Sequence, residues 1–218
     1  RNGDLYPTHG LGPVSTMLNI NRGNRMLYLT STATQSRGLK KYILDKGGVN
    51  HPNASVDFKC GDIVSTVIKC HQGQTIMLSH DTNNPRPYSL NFRVQGTLGI
   101  WQKDARSLYI EGLSKDEHRW EKEDKYLEEF DHPLWKRFQD QAAGSGHGGM
   151  DFFIFRAFIE ALKGAEPVID VYDAVSMSVI SPLSEKSIRL GSASVKIPDF
   201  TRGKWKKNKP IFGLNDRA

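Results

Sequence analysis

Between residues 62 and 111 the chain carries four β-prone runs joined by short connections. Residues 62–69 are rich in Val, Ile and Thr and end at Gln72-Gly73-Gln74; residues 75–80 follow at hairpin distance. Residues 88–94 alternate apolar and polar, and residues 107–111 form a further run. Parallel neighbours need crossovers of about a dozen residues or more, so this spacing restricts the chain to antiparallel pairing. The flanks change period. Val14, Met17 and Leu18 share a helical face, with Pro13 suited to a first turn and Gly23 to a stop. Ser36 is placed to cap a second helix through Leu39, Ile43 and Leu44, closed by Gly47-Gly48.

Helical patterning returns after about residue 120. One helix is expected from His132 to Ala143, and another over residues 151–163 with Phe152, Phe155, Ile159 and Leu162 on one face. Asp170 is positioned to cap a third, with Asp173 in its first turn; Pro182 should break it before a segment ending at Gly191. Residues 194–197 complete the pattern as a short strand. Strands followed by helices without βαβ alternation describe an α+β fold: a large, mainly antiparallel open sheet with helices on one face.

With 218 residues, 38% of them hydrophobic, and four Trp and ten Phe, the chain can bury a core. No apolar run approaches the roughly 20 residues that cross a bilayer, and no signal-peptide pattern opens the sequence. The abrupt start at Arg1, without Met, reads as a processed product or a piece of something longer. Cys60 and Cys70 bracket a predicted strand about 30 Å long, too far for a disulfide or a shared metal. The seven His are scattered with no HExxH, so no metal site is expected.

The net charge of +6 invites a nucleic-acid reading. Most of it lies after Thr201, where Arg202, Lys204, Lys206, Lys207, Lys209 and Arg217 face a single acid, Asp216. The expected organisation is an α+β substrate-binding and oligomerisation domain over residues 1–200 and a solvated basic tail over residues 201–218. No nucleic-acid module accompanies the tail, so neither nucleic acid nor membrane is an expected partner.

Gly144-Ser-Gly146-His-Gly-Gly149 spells GxGxxG and precedes a helix, with Asp170 about 20 positions on. A dinucleotide loop needs a buried strand before it, and residues 135–143 are polar and helical in pattern. A glycine connector is therefore expected there, although the helix N-terminus and His147 could still touch a ligand.

Tyr6-Pro-Thr-His9-Gly-Leu-Gly-Pro13 is the most chemically suggestive stretch. Two ring side chains with polar tips and a hydroxyl stand just before a helix. Local chemistry fits two readings: a cleft for sugar hydroxyls, or helix capping by Thr8 and His9. This stretch resembles the NAD-dependent glycosidases of glycoside hydrolase family 109, the α-N-acetylgalactosaminidase-like members of the glucose–fructose oxidoreductase/inositol dehydrogenase superfamily. The resemblance continues through Asp81-Thr-Asn-Asn-Pro-Arg-Pro-Tyr88-Ser and Gly146-His-Gly-Gly-Met-Asp-Phe-Phe153. It extends through Ile169-Asp-Val-Tyr-Asp-Ala174, Ser181-Pro-Leu-Ser-Glu185 and Ile197-Pro-Asp-Phe200.

The resemblance implies the second, α+β domain of such a protein, with the Rossmann domain and most of the NAD site absent. It implies catalytic roles for His9 and Tyr6, and sugar contacts from Tyr6, Pro7, Thr8, His9 and Tyr88. The substrate implied is an α-N-acetylgalactosaminide. The implied chemistry is oxidation at sugar C3, elimination of the C1 substituent after loss of the C2 proton, water addition and re-reduction, with NAD in the parent protein carrying the hydride. That route does without the paired carboxylates of most glycosidases. Two alternatives share the fold: the corresponding domain of an NAD(P)-dependent sugar dehydrogenase, or a non-catalytic sugar-binding or dimerisation fragment. Family members also imply a homodimer through the open sheet, and a bacterial cytoplasm or periplasm as the setting.

Overall fold

The computed structural model describes residues 1–210, which fall into two compact units: Arg1–Arg86 with Ile169–Pro210, and Pro87–Val168. Arg217 and Asp216 of the basic tail lie outside the described residues. The first unit opens with α1 (Pro7–Met17), β1 (Met26–Ala33), α2 (Gly38–Gly47), β2 (Ile63–Cys70) and β3 (Thr75–Asp81). The second holds β4 (Arg93–Gly96), β5 (Gly99–Gln102), β6 (Ser107–Ile110), β7 (Glu121–Lys122), α3 (Asp124–Phe130), α4 (Pro133–Ala142) and α5 (Met150–Leu162). The chain then returns to the first unit with α6 (Val171–Ser178), α7 (Ile180–Arg189) and β8 (Val195–Lys196).

The α+β class and the antiparallel pairing are as the sequence implies. The strands are shared between two four-stranded sheets, ordered β3-β2-β1-β8 and β4-β5-β6-β7. Pro85 and Pro87 lie between β3 and β4 and have no N–H to give a ladder, so pairing stops at Asp81. Tyr88 accordingly lies outside any strand. Ser89 Oγ accepts the Asn91 N–H at 2.8 Å, Asn91 has φ +45°, and β4 begins only at Arg93.

In the first unit, Val64, Thr66, Ile68 and Cys70 of β2 point to one buried face while Ser65 and Val67 point to solvent. Helices α1, α6 and α7 cover the buried face, with α7 on β1 and α1 on β3. Leu11, Leu29, Ile68 and Ile180, none of them exposed, form the centre of this core. Small hydroxyl residues let α7 approach closely. Ser187 Oγ accepts the Ser31 N–H at 2.9 Å, and Ser31 and Thr66 share a buried hydrogen bond of 2.8 Å.

The central strand β1 is absent from the sequence pattern read above, and a bulge between Met26 and Tyr28 explains why. It shifts the register and breaks the two-residue alternation. Helix α2 does form, but Ser36 does not cap it: the Asp62 carboxylate accepts the N–H groups of Arg37 and Gly38 at 2.9–3.1 Å. A cap contributed from another element leaves no local signature. The Asp170 cap forms with its reciprocal partner Asp173, which also pairs with Arg22 at 2.8 Å. Burial pushes the Asp173 carboxyl up, but the Arg22 guanidinium, the Asp170 N–H and the Asn21 amide outweigh it and hold it below the usual range. The break between α6 and α7 falls at Val179, ahead of Pro182, which sits in the first turn of α7 where a missing N–H is harmless.

The start of the basic segment is folded rather than solvated. Asp199 accepts Thr201 Oγ1 at 2.7 Å and Trp205 Nε1 at 3.2 Å, and Trp205 is buried with its ring edge-on to His71. A buried Trp205 offers no free platform for stacking a base.

The second unit has a smaller interior. Leu134, Phe138 and Ala142 of α4 are buried, Phe138 meets Phe152 of α5, and Arg156 lies over the Phe138 ring. Cys60 and Cys70 are free thiols, and burial pushes the Cys70 thiol up to about 11. No helix of the described residues is long and apolar enough to cross a membrane.

Candidate active site

Helix α1 starts at Pro7, six residues earlier than the position of Pro13 suggests. Gly10, Gly12 and an internal Pro13 are poor helix formers, so packing must supply the stability. The glycines allow the close contact that does so. A Cβ on Gly10 would lie 3.4 Å from the Leu78 side chain of β3, and one on Gly12 would lie 3.8 Å from Met177 Sδ of α6. Leu11, between them, has no exposed surface.

This anchored turn presents Tyr6 and His9 outward. Tyr6 is the residue preceding the helix and makes no side-chain cap, and three positions on His9 lies on the same side. Their rings stack with centroids 4.4 Å apart, and Tyr6 Oη lies 3.3 Å from His9 Nε2. Tyr6 is 60% exposed, so the pair faces solvent. Thr8 is half-buried and Pro7 is buried as the first helical residue.

Below the pair lies Asp4, 2% exposed, whose N–H donates to Ser184 Oγ at 2.9 Å. Burial raises the Asp4 carboxyl above the usual range, against the opposing pull of His80 and of the Tyr6 N–H. At the end of β3, His80 Nδ1 and Asp81 Oδ1 are buried without a hydrogen-bond partner, while Asp81 Oδ2 pairs with Arg86 at 3.1 Å.

Of the five expected sugar contacts, four thus lie in one turn of the first unit. Tyr88 belongs to the second unit, where it is 89% exposed.

The second unit holds His147, which the sequence reading placed in a glycine connector at a helix start where it could touch a ligand. The glycine run forms a tight turn, residues 147–149, opening α5, and a helix rather than a strand precedes it. His147 Nδ1 lies 2.8 Å from Asp151 Oδ1, leaving Nε2 free on an exposed ring. A Cβ on Gly146 would collide with the Asp151 carboxylate, and His147 itself has φ +54°. Gly146 therefore leaves room for the carboxylate of this pair. The signal for it was the His-x-x-x-Asp spacing across a helix start, hidden by the more familiar glycine pattern. No loop of the dinucleotide-cradling kind occurs among the described residues, nor any cluster of three His, Cys, Asp or Glu suited to a metal.

The family described as glycosyl hydrolase 109, C-terminal domain, matches residues 1–207. The α-N-acetylgalactosaminidase of Tannerella forsythia is 54% identical over 215 residues, covering 98% of this chain and 46% of that protein. A glycosyl hydrolase family 109 protein of Parabacteroides distasonis is also 54% identical, with the same coverage. The α-N-acetylgalactosaminidase of Shewanella oneidensis is 42% identical over 216 residues, covering 97% of this chain and 47% of that protein. The chain spans about half the length of the curated relatives it matches. It belongs to glycosyl hydrolase family 109, as the family's C-terminal domain.

Proposed function

We propose that this chain is the sugar-binding half of an NAD-dependent glycosidase acting on α-N-acetylgalactosaminides. The observation that carries the reading is the solvent-facing Tyr6–His9 pair, in a chain whose relatives include two named α-N-acetylgalactosaminidases. Tyr6 supplies an aromatic face and a phenol for a sugar hydroxyl, and His9 takes up a proton directly or through the phenol. Thr8 and Tyr88 orient the sugar, and Pro7 fixes the start of the turn. The described residues do not form a dinucleotide cradle, so hydride transfer with NAD is assigned to the half of the protein outside this chain.

The full-length protein, given an aryl α-N-acetylgalactosaminide and NAD⁺, should release the aryl alcohol without net NADH accumulation. Steady NADH accumulation would instead identify a sugar dehydrogenase and overturn the proposal.

A further inference from the structure

Beneath the Tyr6–His9 turn, β3 sends Ile76, Leu78 and His80 to the face that the helices cover, while Met77 and Ser79 between them face solvent. Leu78 lies against Gly10 of α1. His80 stands one strand step further on, opposite the fully buried Val64 of β2. It is thus the polar member of an otherwise apolar row. Its Nδ1 is buried and has no hydrogen-bond partner, which weighs against the fold. A leucine here would continue the row without that cost. Asp81, the next residue, points to the opposite face and pairs with Arg86 at 3.1 Å.

The segment leading into α1 is tied down on two sides. Asn2 Oδ1 accepts the Gly61 N–H at 2.9 Å. Gly3 passes so close to α7 that a Cβ there would lie 2.9 Å from Ser184 Oγ and 3.1 Å from the Glu185 nitrogen. Asp4 follows, buried, with its N–H on Ser184. Its carboxylate accepts the N–H of Tyr6, the residue that precedes the helix, and lies in the field of the His80 imidazole, which favours its ionised form. A line of interaction therefore runs from His80 through Asp4 to the Tyr6 backbone, and from there to the stacked rings. Two ionisable groups kept under those rings at a cost to the fold point to function rather than packing.

We infer that His80 is a positioning residue for the reaction: acting through Asp4, it fixes the Tyr6 backbone and with it the direction in which the Tyr6 and His9 rings face the sugar. The inference rests on the reading of those rings as sugar contacts. The test is His80→Leu in the full-length protein, with three measurements. These are thermal stability, hydrolysis of an aryl α-N-acetylgalactosaminide with NAD⁺, and the NMR shifts of the His9 ring protons, which carry the ring current of the stacked Tyr6. Tyr6→Leu supplies the shifts of an unstacked His9. His80→Leu should melt no earlier than the wild type, because it removes a buried unpaired nitrogen. Its kcat should nevertheless fall about 10–100-fold, with KM changed less, and its His9 shifts should move toward the Tyr6→Leu values. Either change without the other overturns the inference, and so does the absence of both. If His80→Leu does not fold, Asp4→Asn decides by the same shifts and kcat; it keeps the side-chain shape and an oxygen for the Tyr6 N–H while removing the charge. If His9→Ala keeps full activity, the sugar reading fails, and the shifts alone decide whether His80 sets the rings.

Discussion

The two units solve the same burial problem to different degrees. In the first, three helices lie across an antiparallel sheet and close over Leu29, Ile68 and Ile180. In the second, four strands of four residues or fewer accompany helices, and the buried apolar residues are few: Leu108, Tyr126 and one face of α4. The first unit supports a fixed turn carrying Tyr6 and His9. Among the described residues, the second leaves Ile154, Phe155, Phe158 and Leu162 of α5 exposed. A sheet covered on one side completes its core within one chain, whereas a helix pair with one bare face depends on another surface.

Replacing the exposed imidazole of the first unit tests the proposed chemistry. His9→Ala in the full-length protein should reduce kcat by about 10²–10⁴-fold while leaving thermal stability nearly unchanged. Unchanged kinetics would remove that imidazole from the proposed chemistry.

Core truncations test the contrast directly. Leu29→Ala should destabilise the first unit by about 2–5 kcal/mol, measured by urea unfolding. Phe155→Ala, at a bare site, should change the stability of the isolated chain by no more than about 0.5 kcal/mol. A large Phe155 effect in a monomeric sample would show that its face is already covered within one chain.

The helix cap gives a smaller handle. Asp170→Ala should cost about 1 kcal/mol, since it removes the acceptor for two backbone N–H groups at the start of α6.

Acid titration should give the finest distinction. Asp173 in the first unit is held below the usual carboxylate range, so its ionised form adds stability at neutral pH that is lost as the pH falls through its folded value. Glu121 in the second unit is lowered to about 2 by the Lys115 N–H, Lys125 and Tyr126. Its ionised contacts should therefore persist until the pH approaches 2. Carboxyl chemical shifts followed by NMR would read both, and a Glu121 titration near 4.5 would contradict this assignment.

What the sequence disclosed followed from local periodicity. Strands β2 and β3 and helices α4, α5 and α6 announce themselves because their residues alternate or repeat on one face, and α6 also carries its own Asp170 cap. Strand β1 stayed hidden behind its bulge, α2 took its cap from Asp62, and α1 contains residues that favour other conformations. In each case a distant contact overrode the local rule. The site divides similarly. Tyr6 and His9 drew attention through a family resemblance, since local chemistry alone favoured helix capping by Thr8 and His9. His147 was named as a possible ligand contact at a helix start, but its pairing with Asp151, for which Gly146 leaves room, was missed behind the glycine pattern.

Pro13 within α1 gives the Tyr6–His9 turn a particular mechanical character. With no amide hydrogen, it cannot stitch back to the His9 carbonyl four residues earlier. The helix is thus least self-supporting where it carries the two rings, and their alignment is borrowed from the floor beneath, where Gly10 rests on Leu78 and Leu11 is sealed in the core. Trimming Leu78, a side chain of that floor, should therefore blur the aim of the two rings before it threatens the fold.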